Sequence, residues 1–279
     1  MARGARSKRW AFQPPQGVTV NWGHHLAHGL RVLILFSSGT VNPIETVRQL
    51  RLTYTDTAGD SFARRVVRRE GYAGLTDGAD QFWDVPTGAA GALIPTDQGT
   101  VAIIRRKTDT TNRASTLFGF RQAPTQNDNV RCGAHVPYSD GVVYWDFGGT
   151  GAPNRLTVSG LSFTTEVERW VFVAGSKGSS IWRNGKRLAN QTSSVSRSAE
   201  TSNWALNGGN GINDNQGGDS QEIYYVAVLR AEWNQAQVLD WTANPFSLLA
   251  PPAPRVRYFD VPAVVAATVD DASFAFAMT

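Results

Sequence analysis

Two glutamates near the middle of the chain have the spacing of a carboxylate pair. Glu166 and Glu168 lie in the segment 165–170, and side chains two residues apart share one face of a strand. Hydrolysis of a glycosidic bond with retention needs two carboxyl groups about 5–5.5 Å apart. Glycosidases that use such a strand alternate three carboxylates along it, whereas Arg169 and Trp170 interrupt the alternation here. We therefore predict a polar strand entrance and no catalytic residues.

Three histidines are close together near the start of the sequence, at His24, His25 and His28. Imidazole nitrogens are common zinc ligands, and two histidines four residues apart can share one face of a helix. The zinc-protease motif HExxH also requires a glutamate at the position that His25 occupies. We favour packing of these rings against Trp22 over a metal site.

A polar, glycine-rich segment at 207–219 contains the candidate cation ligands Asp214 and Asp219. Calcium is bound by carboxylate and carbonyl oxygens, so these two residues are the candidate calcium ligands, and no other cofactor is expected. The spacing does not match the helix–loop–helix calcium motif. Asparagine and glycine also occur in such loops because they tolerate left-handed backbone conformations.

Aromatic side chains could stack on sugar rings, and Trp145, Trp182 and Trp204 are the candidates for glycan binding. A β-rich core also uses aromatic residues, and we favour the core position for each of the three. The single cysteine, Cys132, is expected to be a small buried residue.

Short apolar runs separated by turn residues predict an all-β fold. The Asn184-Gly185 pair favours a two-residue hairpin, because both central positions of a type I′ turn need positive φ. One helix is predicted over 231–241, ending before Asn244-Pro245. The predicted strands are 31–36, 47–54, 63–69, 100–106, 116–120, 141–147, 170–174, 179–183, 186–188 and 222–229.

Length and composition limit the class of protein. With 279 residues, 41% hydrophobic and 18% charged, the chain can form one large folded domain and does not have the composition of a disordered protein. One cysteine excludes an intrachain disulfide. No apolar run reaches the roughly 20 residues of a membrane span, and no secretory signal pattern follows the basic start. We expect synthesis in a cytosol and no membrane insertion.

The central hairpin resembles the paired strands of laminin-G/concanavalin-A-like domains. The segment 170–188 is similar to the family's W-x-hydrophobic strand and its following hydrophobic-Tyr-x-Asp/Asn-Gly hairpin, with Trp182 in place of the tyrosine. The strand 222–229 is similar to the family's closing strand. The resemblance implies a two-sheet antiparallel jelly roll with one short C-terminal helix and extended terminal arms, and in some members a calcium ion at a rim loop.

Two flanking sequence motifs resemble those of a bacteriophage and prophage branch of that family. The segment 21–30 is similar to its opening N-x-x-H-P-L-A-x-G-L, with His25 replacing proline. The segment 239–251 is similar to its closing N-P-W-x-L-F-x-P, with Phe246 replacing tryptophan. The resemblance covers roughly residues 20–252. It implies a virion component of a tailed phage, made in the cytoplasm of the host bacterium.

The chain is predicted to consist of a basic arm at 1–17, a jelly roll at 18–252, and a Pro-rich joint with an apolar tail at 253–279. Apolar residues outside a core need a partner surface, and a basic arm suits an acidic one. The predicted assembly contacts are Arg3, Arg6, Lys8, Arg9, Tyr258, Phe259, Val264, Val265, Phe274 and Phe276.

These features predict a non-enzymatic, tail-associated virion protein that serves assembly, adhesion to host-surface glycans, or both. Its expected partners are other virion proteins, copies of itself and host-surface polysaccharide, and nucleic acid is not expected. A capsid-decorating or head-fibre protein, a free glycan-binding lectin module and a glycan hydrolase remain the alternatives.

Overall fold

The computed structural model describes residues 18–36, 43, 45–47, 49–56, 64–68, 71–77, 81–85, 94–120, 128–199, 204–209 and 218–250. Almost all regular structure in them is antiparallel β. The strands are β1 (Thr19–Val20), β2 (Leu30–Leu35), β3 (Thr53–Asp56), β4 (Arg64–Arg68), β5 (Gly71–Asp77), β6 (Gln81–Val85), β7 (Gly99–Lys107), β8 (Ser115–Phe120), β9 (Cys132–His135), β10 (Val143–Phe147), β11 (Arg155–Val158), β12 (Val167–Gly175), β13 (Gly178–Arg183), β14 (Lys186–Gln191), β15 (Trp204–Gly209), β16 (Ser220–Leu229) and β17 (Leu249–Ala250). Short 3-10 turns lie at His25–Ala27 and Asp128–Val130, and helix α1 spans Gln235–Ala243.

Two large sheets form a sandwich. The eight-stranded sheet has the order β14-β13-β12-β7-β16-β5-β4, with β2 also paired to β16. The seven-stranded sheet has the order β11-β10-β9-β8-β15-β6-β3. Aromatic and β-branched side chains fill the space between them, which is the packing that a sandwich requires. The prediction of an all-β, two-sheet antiparallel fold with one short helix is confirmed.

Strand β16 lies at the centre of the eight-stranded sheet and is buried at every position. One of its faces contributes Ile223, Val226 and Val228 to the core between the sheets. The opposite face carries Tyr224 and Tyr225 into a second core beneath α1. Because both faces are covered, the strand is a continuous apolar run rather than an alternating one.

Helix α1 begins four residues later than predicted, because Asn234 caps it. The Asn234 side chain accepts a hydrogen bond from Gln237 N, and the Gln237 side chain accepts one from Asn234 N, which forms a capping box. Val238 and Trp241 are buried, whereas Leu239 is 43% exposed. In the described part of the chain, no helix has the length and apolarity needed to cross a membrane.

The predicted strand 47–54 was wrong over most of its length, since β3 begins only at Thr53. The buried carboxylate of Glu45 explains the difference. It accepts hydrogen bonds from Leu33 N at 2.7 Å and Val47 N at 2.8 Å, which ties a turn onto β2. Gln49 continues this turn with φ of 60°. The arms 1–17 and 253–279, with all ten predicted assembly residues, lie outside the described residues.

Candidate functional site

The outer face of the seven-stranded sheet, which points away from the eight-stranded sheet, carries polar and aromatic side chains at its β9–β11 edge. In β10, Val143, Trp145 and Phe147 belong to the core between the sheets. Strand alternation therefore places Tyr144 and Asp146 on the outer face. We call the group formed by His135, Tyr138, Asp140, Tyr144, Asp146 and Arg155 the β9–β11 face.

Three rings meet on the β9–β11 face. Tyr144 lies directly across the strands from His135, with ring centroids 6.0 Å apart and planes at 87°. The Tyr138 and Tyr144 rings are also nearly perpendicular, at 6.1 Å and 85°. Tyr138 is on the turn after β9, where Gly141 N donates to the carbonyl of Tyr138. Both tyrosines are half-buried, so the two rings form an accessible corner.

An arginine–carboxylate pair lies beside this corner. Arg155 donates through Nε and Nη2 to the two oxygens of Asp146, each at 2.6 Å. Such bidentate pairing fixes the guanidinium plane. The plane covers one side of the Tyr144 ring, with the guanidinium carbon 4.7 Å from the ring centroid. A fixed cation and a fixed ring therefore occupy adjacent positions on β10 and β11.

Asp140 completes the polar edge. The Tyr144 hydroxyl donates to Asp140 Oδ2 at 2.6 Å, and Val142 N donates to Oδ1 at 2.9 Å. The hydrogen bond to Asp140 raises the pKa of Tyr144. Burial lowers the pKa of His135 despite a hydrogen bond with the Ser115 carbonyl, which favours the neutral imidazole. The face therefore presents hydroxyl, carboxylate and guanidinium groups around neutral rings.

Residues without large side chains continue the face toward the middle of the sheet. Gly133 lies across from Asp146, and Gly119 lies across from Ala205. A Cβ on Gly133 would be 3.1 Å from the Cα of Gly119 and 2.8 Å from the Phe118 carbonyl oxygen, so this close approach requires glycine. Gly119 and Ala205 are buried, whereas Gly133 and Arg155 are half-buried. Asp146, which lies between Gly133 and Arg155 in the sheet, is 2% exposed.

The predicted glycan-binding tryptophans are not on this face. Trp145 and Trp204 are 1% and 0% exposed, and Trp182 is 5% exposed. Trp145 donates Nε1 to the Val173 carbonyl across the sandwich at 3.0 Å, and Trp182 packs in the core on the α1 side. Their alternation with outward residues directs them inward, so exposed stacking by these three residues was a wrong expectation. The preferred alternative, a core position, is confirmed, as is the burial of Cys132.

The predicted metal ligand Asp219 is neutralised by basic side chains. Lys107 Nζ donates to its two oxygens at 2.8 and 2.6 Å, and Arg113 Nη1 donates to Oδ1 at 3.2 Å. A carboxylate held by two cations is a poor calcium ligand, which argues against the predicted site. Asp214 lies outside the described residues.

Asp219 belongs to a line of alternating charges at one end of the sandwich. Glu168 accepts hydrogen bonds from Arg105 at 3.0 and 3.2 Å and from Arg183 at 2.5 Å. Arg105 in turn lies 3.7 Å from Asp219. We call Arg183, Glu168, Arg105, Asp219, Lys107 and Arg113 the charge row. Glu166, the other predicted carboxylate, is exposed, so the two glutamates do not share one environment.

The histidines near the chain start lie close to one another at the surface. The His24 and His25 rings stack at 4.6 Å, while Trp22 is 61% exposed. The expected packing of the histidines under Trp22 is therefore replaced by stacking between the two imidazoles.

Asp84 and Asp146, two aspartates of the outer face, are too far apart to act together in glycoside hydrolysis. Asp84 and Asp146 lie on β6 and β10, four strands apart. At about 4.8 Å per strand their backbones are separated by roughly 19 Å. Inverting and retaining glycosidases use separations of about 6.5–9.5 and 5–5.5 Å. This pair therefore cannot act as acid and base on one glycosidic bond.

The fold is similar to solved β-sandwich domains at low sequence identity. Domain 4 of AbnA, an extracellular arabinanase from Geobacillus stearothermophilus solved with arabinotriose, matches with a TM-score of 0.58 and 14% identity, over 76% of this chain and 98% of that one. The Trypanosoma rangeli sialidase in complex with sialic acid matches at 0.55 and 13%, over 79% of this chain and 33% of that one. The binding domain of botulinum neurotoxin serotype G matches at 0.54 and 10%, over 78% of this chain and 51% of that one.

These likenesses show the fold alone, an all-β sandwich that also occurs in an arabinanase, a sialidase and a toxin binding domain. The chain spans about a third of the sialidase and half of the toxin domain. No family model and no curated protein matches it in sequence.

Sequence reasoning missed the β9–β11 face because its members are dispersed over the segment 135–155. One signal was available, since the strand 143–147 alternates apolar residues with Tyr144 and Asp146. The alternation identifies an outward-facing pair but not its neighbours. Only the register of β9, β10 and β11 brings His135 and Arg155 beside that pair.

Proposed function

We propose that this protein is a non-enzymatic glycan-binding domain and that the β9–β11 face is its binding surface. The observation that carries the proposal is the corner formed by Tyr138 and Tyr144, bordered by Asp140 and the fixed Arg155 guanidinium. Sugar rings pack their C–H surfaces on aromatic rings, and their hydroxyls pair with carboxylate and guanidinium groups. Two structural neighbours were solved in complex with arabinotriose and with sialic acid, which supports this class of ligand.

The test compares Tyr138→Ala with wild type by isothermal titration against arabinotriose and sialic acid, and on an immobilised glycan panel. Loss of one stacking ring is expected to weaken binding by about 0.5–1.5 kcal/mol, or roughly two- to tenfold. Trp22→Ala is the matched control, because Trp22 is an exposed aromatic residue outside the face. Equal binding by wild type and Tyr138→Ala, or loss in Trp22→Ala alone, would contradict the proposal.

We further propose that the domain belongs to a virion component of a tailed phage, with the tail as its location and host-surface polysaccharide as its target. The support is the pair of phage-like sequence motifs at 21–30 and 239–251. Asn21 N donates to the Leu248 carbonyl at 2.7 Å, and β1 pairs with β17 through Thr19 and Ala250. The two motifs therefore lie in contact with each other in the fold.

Mass spectrometry of purified virions, with a density map of the particle, tests this second proposal. Presence on the tail is the expected result, and presence on the capsid would favour the decoration or head-fibre alternative. Absence from particles would refute the virion role and leave a free lectin module. Deleting 1–12 and 255–279 is expected to abolish incorporation while the sandwich remains folded by circular dichroism.

A further inference from the structure

A cluster of potential metal ligands joins the first 3-10 turn to helix α1. His25 Nε2 lies 3.1 Å from Asp240 Oδ2, and the His24 ring stacks on His25 at 4.6 Å with an interplanar angle of 28°. One ligand atom from each of His24, His25 and Asp240 lies within 4.8 Å of the other two. Residues separated by more than 200 positions in sequence thus converge on one point of the surface.

The backbone on both sides of this cluster is anchored. In the 3-10 turn, Leu26 and Ala27 are 0% and 1% exposed, and Ala27 N donates to the His24 carbonyl at 2.9 Å. In α1, Val238 and Trp241 on either side of Asp240 are fully buried. The side chains of His25 and Asp240 are themselves 60% and 46% exposed. The ligands therefore extend from fixed positions and keep the freedom to adjust around an ion.

We propose that His24, His25 and Asp240 form a surface site for one divalent transition-metal ion, with zinc as the expected occupant. Two imidazoles and a carboxylate match the ligand preference of zinc, cobalt and nickel rather than that of calcium or magnesium. Zinc bonds of about 2.0–2.2 Å in a tetrahedron place neighbouring ligand atoms roughly 3.3–3.5 Å apart. The His25–Asp240 distance is already near this value, and small rotations of exposed side chains bring in His24.

The tautomer of His24 sets one cost of binding. Its Nδ1 accepts a hydrogen bond from Leu26 N at 3.3 Å, so Nε2 carries the proton when the ring is neutral. Coordination through Nε2 moves that proton to Nδ1 and gives up this long hydrogen bond. Three protein ligands leave a fourth position open to water or to a group on another molecule.

Isothermal titration of zinc chloride into the chelator-treated, tag-free protein tests the site. Wild type is expected to bind one equivalent, and His25→Ala and Asp240→Asn to bind at least roughly tenfold more weakly. His28→Ala is the matched control, because His28 lies in the same segment but outside the cluster, and it is expected to bind as wild type does. Cobalt(II) is expected to give the intense visible absorption of a tetrahedral site in wild type and His28→Ala only.

Three results would overturn the proposal. They are the absence of zinc uptake by wild type, binding of zinc by His25→Ala as tight as that of wild type, and loss of zinc binding in His28→Ala along with the other variants. A His25–Asp240 pair with a purely structural role gives the second result, with a lower melting temperature in His25→Ala and no change in zinc affinity. Glycan binding at Tyr138 is measured separately, so failure here is independent of the function proposed above.

Discussion

Replacing Glu168 by glutamine should strongly destabilise the protein, because Glu168 holds the charge row together. Its side chain is 1% exposed and lies between Arg105, which is 0% exposed, and Arg183. It also accepts a hydrogen bond from Trp170 Nε1 at 2.7 Å. Glutamine preserves the volume but removes the negative charge. The buried Arg105 guanidinium then keeps only the 3.7 Å contact with Asp219 and its hydrogen bond to Gln221, and Arg183 loses its carboxylate partner. Breaking one partner of a buried pair costs about 3–5 kcal/mol.

Urea unfolding followed by far- and near-ultraviolet circular dichroism measures this loss. With a slope of about 2–3 kcal/mol/M, the midpoint of Glu168→Gln should fall by on the order of 1–2 M. Coincidence of the two signals checks that one transition is being measured. The matched control is Glu166→Gln, an exposed glutamate two residues earlier, expected to stay within about 0.5 kcal/mol of wild type. If Glu168→Gln also loses less than about 1 kcal/mol, the charge row does not stabilise the fold as argued.

Three further predictions concern single residues. Burial raises the pKa of Cys132 to about 11. At pH 8 the thiol should therefore not react with a disulfide reagent in the native protein, and one thiol per chain should react after unfolding in guanidinium. Reaction in the native state would contradict the burial of Cys132. Burial lowers the pKa of His135 below the ordinary histidine value of 6.5. Near pH 6.5 the His135 side chain therefore takes up a proton in the unfolded chain and stays neutral in the folded protein. The stability of wild type should therefore fall as the pH drops below 6.5. The urea midpoint of His135→Gln should depend less on pH than that of wild type. The same pH dependence in both proteins would refute this assignment. Asn234→Ala removes the capping box of α1 and should cost about 1 kcal/mol in urea unfolding, with Asn244→Ala at the other end of the helix as the comparison.

Local backbone chemistry made part of the fold predictable from the sequence. The Asn184-Gly185 turn was predicted from its dipeptide alone, and it joins β13 to β14 with φ of 51° and 80°. The strand at 100–106 is confirmed as β7, with one additional residue at each end. Both predictions depend on neighbours in sequence, for which steric and periodic rules are strong.

Long-range contacts account for the errors. The apolar and alternating segment 47–54 has strand character, but the Glu45 carboxylate holds its first half as a turn on β2. Trp145, Trp182 and Trp204 are of a residue type that can stack on sugar rings. Each of them nevertheless faces the core, because of its position in the strand alternation. The sequence of a strand does not show which of its two faces is covered, because this depends on the elements that pack against the strand.

Three carboxylates in the described part of the chain have their oxygens occupied by basic side chains. A bidentate or double ion pair of this kind fixes the position of both partners. Asp146 is held by Arg155, Glu168 by Arg105 and Arg183, and Asp219 by Lys107 and Arg113. On the proposed binding surface, Asp146 therefore serves to fix the Arg155 guanidinium beside Tyr144. A fixed cation next to an aromatic corner is the arrangement that the proposed recognition of a sugar requires.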